Sequence, residues 1–246
     1  MQKRLEVCFS PALFGLHASS DANCVIIDVL RATSSICTAL MNGATSLIPV
    51  ADTETLREYK EKGYVVAGER DGITLDFADF GNSPKNFSRE NIEGRTVIYT
   101  TTNGTKSIVM ASGCHTVTIG SYLNFSALCS WLEQENRDVI LFCAGWKNRF
   151  NLEDTLLAGA MCKKLLEGGR FFSECDSVVA SLDLWGLAEN DPLAYVEKAA
   201  QRSRLRQKSL DDILAYCHTF DLTTVIPILR GDALVPLDRH LQQSVR

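Results

Sequence analysis

Thr96-Val97-Ile98-Tyr99-Thr100-Thr101-Thr102-Asn103-Gly104-Thr105-Lys106-Ser107-Ile108-Val109-Met110-Ala111-Ser112-Gly113 changes its hydrophobic period half-way. Val97, Ile98 and Tyr99 form a β-branched and aromatic run suited to a short buried strand. Beyond them Ile108, Val109 and Ala111 give a helix its apolar side, and Gly113 ends it. Asn103 is placed to cap this helix, and Gly104 lets backbone come close to whatever lies in front of it. Threonines fill the turn. A helix start with free N–H groups, a positive dipole end and a rim of hydroxyls can hold an anion. Any well-capped strand-to-helix turn has the same features, so this stretch predicts α/β and leaves the ligand open.

The pattern repeats outward. Cys24-Val25-Ile26-Ile27 reads as a second buried strand, followed by Asp28-Val29-Leu30-Arg31-Ala32-Thr33-Ser34-Ser35 and a helix to Asn42-Gly43. Ser46–Val50 reads as a strand, Asp52 or Thr53 to Glu61 as a helix, and Tyr64–Ala67 as a strand leading into Gly68-Glu69-Arg70-Asp71-Gly72. From Ile73 to Asn91 no period emerges, and Phe80–Pro84 reads as an ordered loop. A strand over His115–Ile119, a helix over Asn124–Glu135 and a buried strand over Val139–Cys143 follow. Ala144–Phe150 then leads into a helix capped by Asn151. The last third reads as helical, with Asp191-Pro192 and Ser209 as helix starts and Thr224–Leu229 and Ala233–Leu237 as closing strands. This alternation predicts a mainly parallel sheet with helices on its faces. The turn after Val25-Ile26-Ile27 echoes the turn after Val97-Ile98-Tyr99. Duplication and the generic βαβ pattern both account for that, and duplication would give two similar lobes, residues 1–94 and 95–246, in one compact folding unit.

Composition narrows the class. The 246 residues carry a net charge of −5, which argues against a nucleic-acid surface. Nine cysteines occur without a Cys-x-x-Cys pair, which fits free thiols in a reducing cytoplasm. Lys3 and Arg4 precede an apolar stretch, but Glu6, Ser10 and Pro11 interrupt it, so it does not read as a signal peptide. No run reaches transmembrane length.

Ligands of open α/β sheets bind outside the carboxyl ends of the strands. There this chain places Asp28 and Arg31 after one strand and Glu69 and Arg70 after another. Thr101–Thr105 follow a third, and Cys143 with Glu153 and Asp154 a fourth. Each group alone has a bland explanation: a capped turn, a solvated ion pair, an acidic helix start. Together they suit metal-assisted transfer of a phosphoryl group to water, with carboxylates for Mg2+, arginines for oxyanions and helix starts for the remaining oxygens.

Six blocks in order resemble the 2-phosphosulfolactate phosphatase family. They are Asp28-Val-Leu-Arg31-Ala-Thr33-Ser34, Gly68-Glu69-Arg70, Asp79-Phe80-Gly81-Asn82-Ser83-Pro84, Thr101-Thr102-Asn103-Gly104-Thr105, Cys143-Ala144-Gly145 and Leu152-Glu153-Asp154. The resemblance implies a three-layer α/β/α fold and a Mg2+-dependent hydrolase taking 2-phospho-3-sulfolactate to 3-sulfolactate and phosphate, a step toward coenzyme M. Trp146-Lys147-Asn148-Arg149 is bulkier and more basic than the family's pattern, and Phe77-Ala78 replaces its usual Gly-Phe. The candidate catalytic residues are Asp28, Arg31, Glu69, Arg70 and Asp154, and Asp28, Glu69 and Asp154 are the candidate metal ligands. The candidate substrate contacts are Arg31, Thr33, Ser34, Arg70, Asn82, Ser83, Thr101, Thr102, Asn103, Gly104 and Thr105. The expected partner is a small anionic phosphorylated substrate, with no nucleic acid and no membrane. A homo-dimer is compatible with the sequence and not required by it.

Two rivals stand beside this reading. Cys143 and Arg149 have the Cys-x5-Arg spacing of cysteine phosphatases, although the loop lacks the usual His before Cys and ends in Phe150. A non-catalytic anion-binding module is the other. A haloacid-dehalogenase-type mechanism on Asp28 needs an Asp two residues on, where Leu30 stands.

Overall fold

The computed structural model describes residues 1–208, 210 and 213–237, so the helix start expected at Ser209 lies outside the described residues. The strands are β1 (Lys3–Cys8), β2 (Asn23–Ile27), β3 (Ser46–Pro49), β4 (Val65–Arg70), β5 (Ile73–Thr74), β6 (Thr96–Thr100), β7 (Thr116–Gly120), β8 (Val139–Cys143), β9 (Phe171–Phe172), β10 (Pro227–Arg230) and β11 (Ala233–Pro236). The helices are α1 (Ala32–Met41), α2 (Thr53–Glu61), α3 (Arg89–Ile92), α4 (Gly104–Met110), α5 (Phe125–Glu135), α6 (Leu152–Glu167), α7 (Asp176–Ala188), α8 (Pro192–Tyr195), α9 (Ala200–Gln207) and α10 (Leu214–Cys217).

The strands form one sheet in the order β5-β4-β6-β3-β11-β10-β7-β2-β8-β1-β9. Pairing is parallel except at the β4–β5 hairpin and along the β10–β11 hairpin, which bonds β7 and β3 antiparallel. Helices lie on both sides, a three-layer α/β arrangement. Strand period decides the layers. Val25 and Ile27 of β2, with Val139, Leu141 and Cys143 of β8, join the core under α5, α6 and α7. Cys24, Ile26, Ile140 and Phe142 point the other way, into the core of α1 and α4. On the far wing Val97 and Tyr99 share that second core, whereas Ile98 and Val66 pack with Leu56 of α2.

Two wings result. One holds β3, β4 and β6, the other β1, β2, β7 and β8, and strands from either side of residue 94 enter both. Within the sheet the C-terminal hairpin joins them, through Ile228↔Thr118 on one side and Leu234↔Leu47 on the other. β2 and β6 stand five strand spacings apart in this order, which in a flat sheet is about 24 Å. Yet a Cβ on Gly104, at the start of α4, would come within 2.6 Å of the Ala32 Cβ at the start of α1. The wings therefore fold toward each other over α1 and α4, and the helix starts meet in the crevice between them.

Local chemistry matches the expected elements with two differences. β4 runs past Ala67 to Arg70, because Glu69 and Arg70 pair with Thr74 and Ile73 across a tight turn at Asp71-Gly72. Both turn residues have positive φ, 52° and 80°, as a two-residue hairpin needs. The stretch that lacked a period also holds a 3-10 turn at Pro84–Asn86 and the short α3. Among the described residues no helix is long and apolar enough to cross a membrane.

Candidate active site

Asp28 leaves β2 at the bottom of the crevice, 8 % exposed. Its Oδ1 accepts the Ala32 N–H at 3.4 Å, and the Gly104 N–H also points at its carboxylate. The expected anion cradle at the start of α4 is thus turned toward the chain's own Asp28. Gly104 is required for this, since a Cβ there would lie 2.9 Å from Asp28 Oδ2. Glu69 fills the neighbouring turn. Its Oε1 accepts the Thr102 N–H at 2.7 Å, and its Oε2 accepts the Thr102 hydroxyl at 3.0 Å and the Gly72 N–H. Burial, with the nearby Glu69 charge, pushes Asp28 up to about 7 from its ordinary 3.8, against the pull of the Ala32 N–H, Arg31 and the Gly104 N–H.

Asp28, Arg31, Glu69, Asn82 and Asn103 line one narrow pocket. Arg31 is 6 % exposed, and among the described residues its guanidinium has neither a hydrogen bond nor an ion pair to the protein. A buried guanidinium in that state is a strong site for an oxyanion. Tyr99 donates its hydroxyl to Asn82 Oδ1, which leaves the Asn82 amide nitrogen as a donor at the pocket. Asn103 does not cap α4 with its side chain; its Oδ1 accepts the Lys147 N–H at 3.0 Å instead.

The other expected contacts face inward. Thr33 and Ser34 donate to the carbonyls of Asp28 and Val29, at 2.9 and 3.0 Å. Thr101 and Thr105 bond each other across the turn, and Ser83 closes a capping box with Asn86. These groups build the loops that carry the site. Arg70 points away from the pocket, donating to the carbonyls of Glu69 and Ala51 and to Thr100 Oγ1.

Two segments complete the pocket. Trp146-Lys147-Asn148-Arg149 is a tight turn with positive φ at Lys147 and Asn148 and reciprocal backbone bonds between Trp146 and Arg149. It is fastened across the mouth by the Asn103 bond and by a Lys147–Asp71 ion pair at 2.7 Å. Over it lies α9, which brings Gln201, Arg204 and Leu205, with Lys208 just beyond. Gln201 donates to the Leu30 carbonyl at 3.1 Å, and Arg204 donates to Gln201 Oε1 at 2.8 Å while its guanidinium stacks 4.5 Å from the centre of the Trp146 ring.

A family model described as 2-phosphosulpholactate phosphatase matches residues 8–232. The chain belongs to that family. It is 34 % identical over 215 residues to a protein of Caldanaerobacter subterraneus subsp. tengcongensis named "probable 2-phosphosulfolactate phosphatase", covering 86 % of this chain and 89 % of that one. A Thermotoga maritima protein of the same name is 37 % identical over 205 residues, 83 % of this chain and 88 % of its own. A third, from Symbiobacterium thermophilum, is 31 % identical over 218 residues, 87 % and 94 % of the two chains.

In this member of the 2-phosphosulpholactate phosphatase family, Asp154 lies behind the pocket rather than on it. It is fully buried and accepts the N–H groups of Val29 at 2.9 Å and Gly145 at 3.1 Å, tying the Asp28 turn to the loop after β8. Burial, with the charges of Asp28 and Glu153, raises its pKa. Glu153 is pushed up to about 7 by burial and by Asp28, and among the described residues its Oε2 has no hydrogen-bond partner. Among the described residues no three His, Cys, Asp or Glu side chains gather as a metal-binding group. Cys143 is fully buried in the core under α6, which raises its thiol well above the ordinary value, while Arg149 is exposed on the outer turn. That is the opposite of the electropositive, open setting a nucleophilic thiolate needs.

Proposed function

We propose that this chain is a phosphoric monoester hydrolase that removes phosphate from a small phosphorylated acid, 2-phospho-3-sulfolactate giving 3-sulfolactate and phosphate, with Mg2+ as cofactor. The observation that carries the reading is the unpaired, buried Arg31 guanidinium sharing a pocket with Asp28 and Glu69. Arg31 takes two phosphate oxygens in its planar fork, and the Asn82 amide donates to a third. Phosphoryl transfer asks little covalent chemistry of a protein, so placement and charge carry the rate.

The donor set fits the metal. Asp28 and Glu69 are two carboxylates at one pocket; burial, with the Glu69 charge added, already raises Asp28, and a divalent cation supplies the missing positive charge. Mg2+ is commonly held by one or two carboxylates together with substrate phosphate and water. Asp28 and Glu69 would hold it, and Asp154 would keep the Asp28 turn in place from behind. When bound, Mg2+ neutralises charge on the phosphoryl oxygens. A cytoplasmic setting and a step toward coenzyme M belong to the same proposal, and nine free cysteines fit a reducing compartment.

Phosphate release from 2-phospho-3-sulfolactate, with Mg2+ and with EDTA, tests it. The expected result is turnover that EDTA abolishes and Mg2+ restores, and a loss of roughly 30- to 5,000-fold in kcat/KM for Arg31→Ala, typical of truncating one side of a desolvated charge pair. Full activity in EDTA removes the metal from the proposal. An unchanged kcat/KM in Arg31→Ala removes the phosphate site. A folded protein that binds 3-sulfolactate without turning over any phosphorylated acid is a binding module instead.

A further inference from the structure

Outside the pocket that holds Arg31 lies a second, wider depression of about 360 Å³, lined by Trp146, Lys147, Arg149, Phe150 and Arg204. Trp146 and Arg204 line both spaces, so they form the wall between them. Three of the five lining residues are cations, on a chain whose net charge is −5. Of these, Lys147 is neutralised by Asp71. The other two are not. Arg149 is exposed, and among the described residues its guanidinium has no partner. Among the described residues, the Arg204 guanidinium bonds or stacks on uncharged groups, the Gln201 amide oxygen and the Trp146 ring face, and feels the buried Glu153 carboxylate at longer range.

Arg204 is also held rigidly for an anchored side chain on a short helix. Gln201 fixes it from one side through the Leu30 carbonyl, next to Arg31, and the indole fixes its plane from the other. A planar guanidinium set on an aromatic face still presents N–H donors along its outer edge, which is the geometry that binds a carboxylate or sulfonate.

We propose that Arg204, with Arg149 beside it, forms a second anion subsite that selects substrates carrying an acid group beyond the phosphate. This rests on the phosphatase reading: phosphate sits at Arg31, and the remaining acid group reaches Arg204 at the boundary with the outer depression. The turn at Trp146–Arg149 supplies the stacking face and the second arginine. A phosphate ester without a further acid group gains nothing from either.

The test compares kcat/KM for 2-phospho-3-sulfolactate and for glycerol 2-phosphate in wild type, Arg204→Gln, Arg204→Lys and Arg149→Gln. Arg204→Gln is expected to lose at least about tenfold more on the sulfolactate ester than on glycerol 2-phosphate, through KM rather than kcat. Arg204→Lys recovers part of that ratio, since it keeps the charge without the fork. Arg149→Gln, on an exposed side chain with no hydrogen bond or ion pair among the described residues, shows a smaller preference loss that shrinks at high salt. Equal losses on both compounds in Arg204→Gln, or an unchanged ratio in both glutamine variants, overturn the subsite. If wild type hydrolyses neither compound, the phosphatase reading fails, and calorimetry with 3-sulfolactate decides the subsite alone. Binding must then weaken at least tenfold in Arg204→Gln for it to stand, and equal affinity ends it.

Discussion

Asp28 concentrates the conflict on which the site is built. Its carboxylate is buried, Glu69 stands near it, and Glu153 and Asp154 lie behind it. A carboxyl raised to about 7 when folded and near 3.8 when unfolded binds its proton more tightly in the folded state. The sign follows from linkage: between about pH 4 and pH 7 the folded chain carries more protons, so its stability falls as pH rises. Glu153, also raised to about 7, pulls in the same direction. Without divalent cation, Asp28→Asn is therefore expected to be more stable than wild type at pH 8, by on the order of 2–4 kcal/mol, with the gap closing toward pH 4. Urea unfolding in EDTA at both pH values measures this, and the difference between the two proteins isolates residue 28 from the other titrating groups. A variant less stable than wild type at pH 8 would mean that Asp28 is held by compensating partners. Activity should move the opposite way, since a buried carboxylate beside Glu69, costly on its own, is what attracts a cation.

At the scale of elements, much of the site could be read from residue order. Asp28, Arg31, Glu69, Asn82 and Asn103 follow strand ends or sit in marked loops, and they meet in one pocket. What was not legible is where the hydroxyls and N–H groups point, because a turn that can hold a foreign anion can equally hold the chain's own carboxylate. Thr102 serves Glu69 and Gly104 serves Asp28 for that reason. The Asp71-Gly72 hairpin had a local signal in its turn residues, and that signal puts Glu69 in a strand. Arg204 and Gln201 had none. They sit in a polar stretch far from every recognised block, and only tertiary packing of α9 brings them over Leu30 and Trp146. That packing has a consequence for access. The inner pocket is narrow, and α9 supplies Gln201, Arg204 and Leu205 to its lining, so a ligand held there packs against this helix. Amide hydrogen exchange over residues 200–207 is expected to be fast in the free protein and slowed at least severalfold by saturating 3-sulfolactate, with α6 unaffected. Equal exchange with and without the ligand would place the ligand away from α9.

At the scale of the whole molecule, the crevice exists because the sheet bends, and the C-terminal hairpin is where the two wings of the sheet are joined. The β10–β11 hairpin touches each wing through a single register pair, Ile228↔Thr118 and Leu234↔Leu47. Thr118 Oγ1 adds a bond to the Pro227 carbonyl at 2.8 Å. Leu234 is fully buried, and it belongs to the core shared by both wings, beneath α1 and α4. Truncating it removes packing at the joint rather than within either wing. Leu234→Ala is expected to cost about 2–5 kcal/mol, as leucine truncations in a tight core do, read as a lower urea midpoint. A purely local cavity would leave catalysis alone in the protein that remains folded. A joint predicts more. The Asp28 turn comes from one wing and the Glu69 and Gly104 turns from the other, so a looser hinge moves them apart. A displacement of about 1 Å is enough to cost roughly 100-fold in a site that works by placement. Leu234→Ala should therefore lose kcat/KM by at least tenfold under conditions where it is fully folded. Ile98→Val, inside a single wing, should lose only stability. If both variants keep wild-type kcat/KM, the hairpin is a stabilising edge of the core and the crevice is held open by α1 and α4 alone.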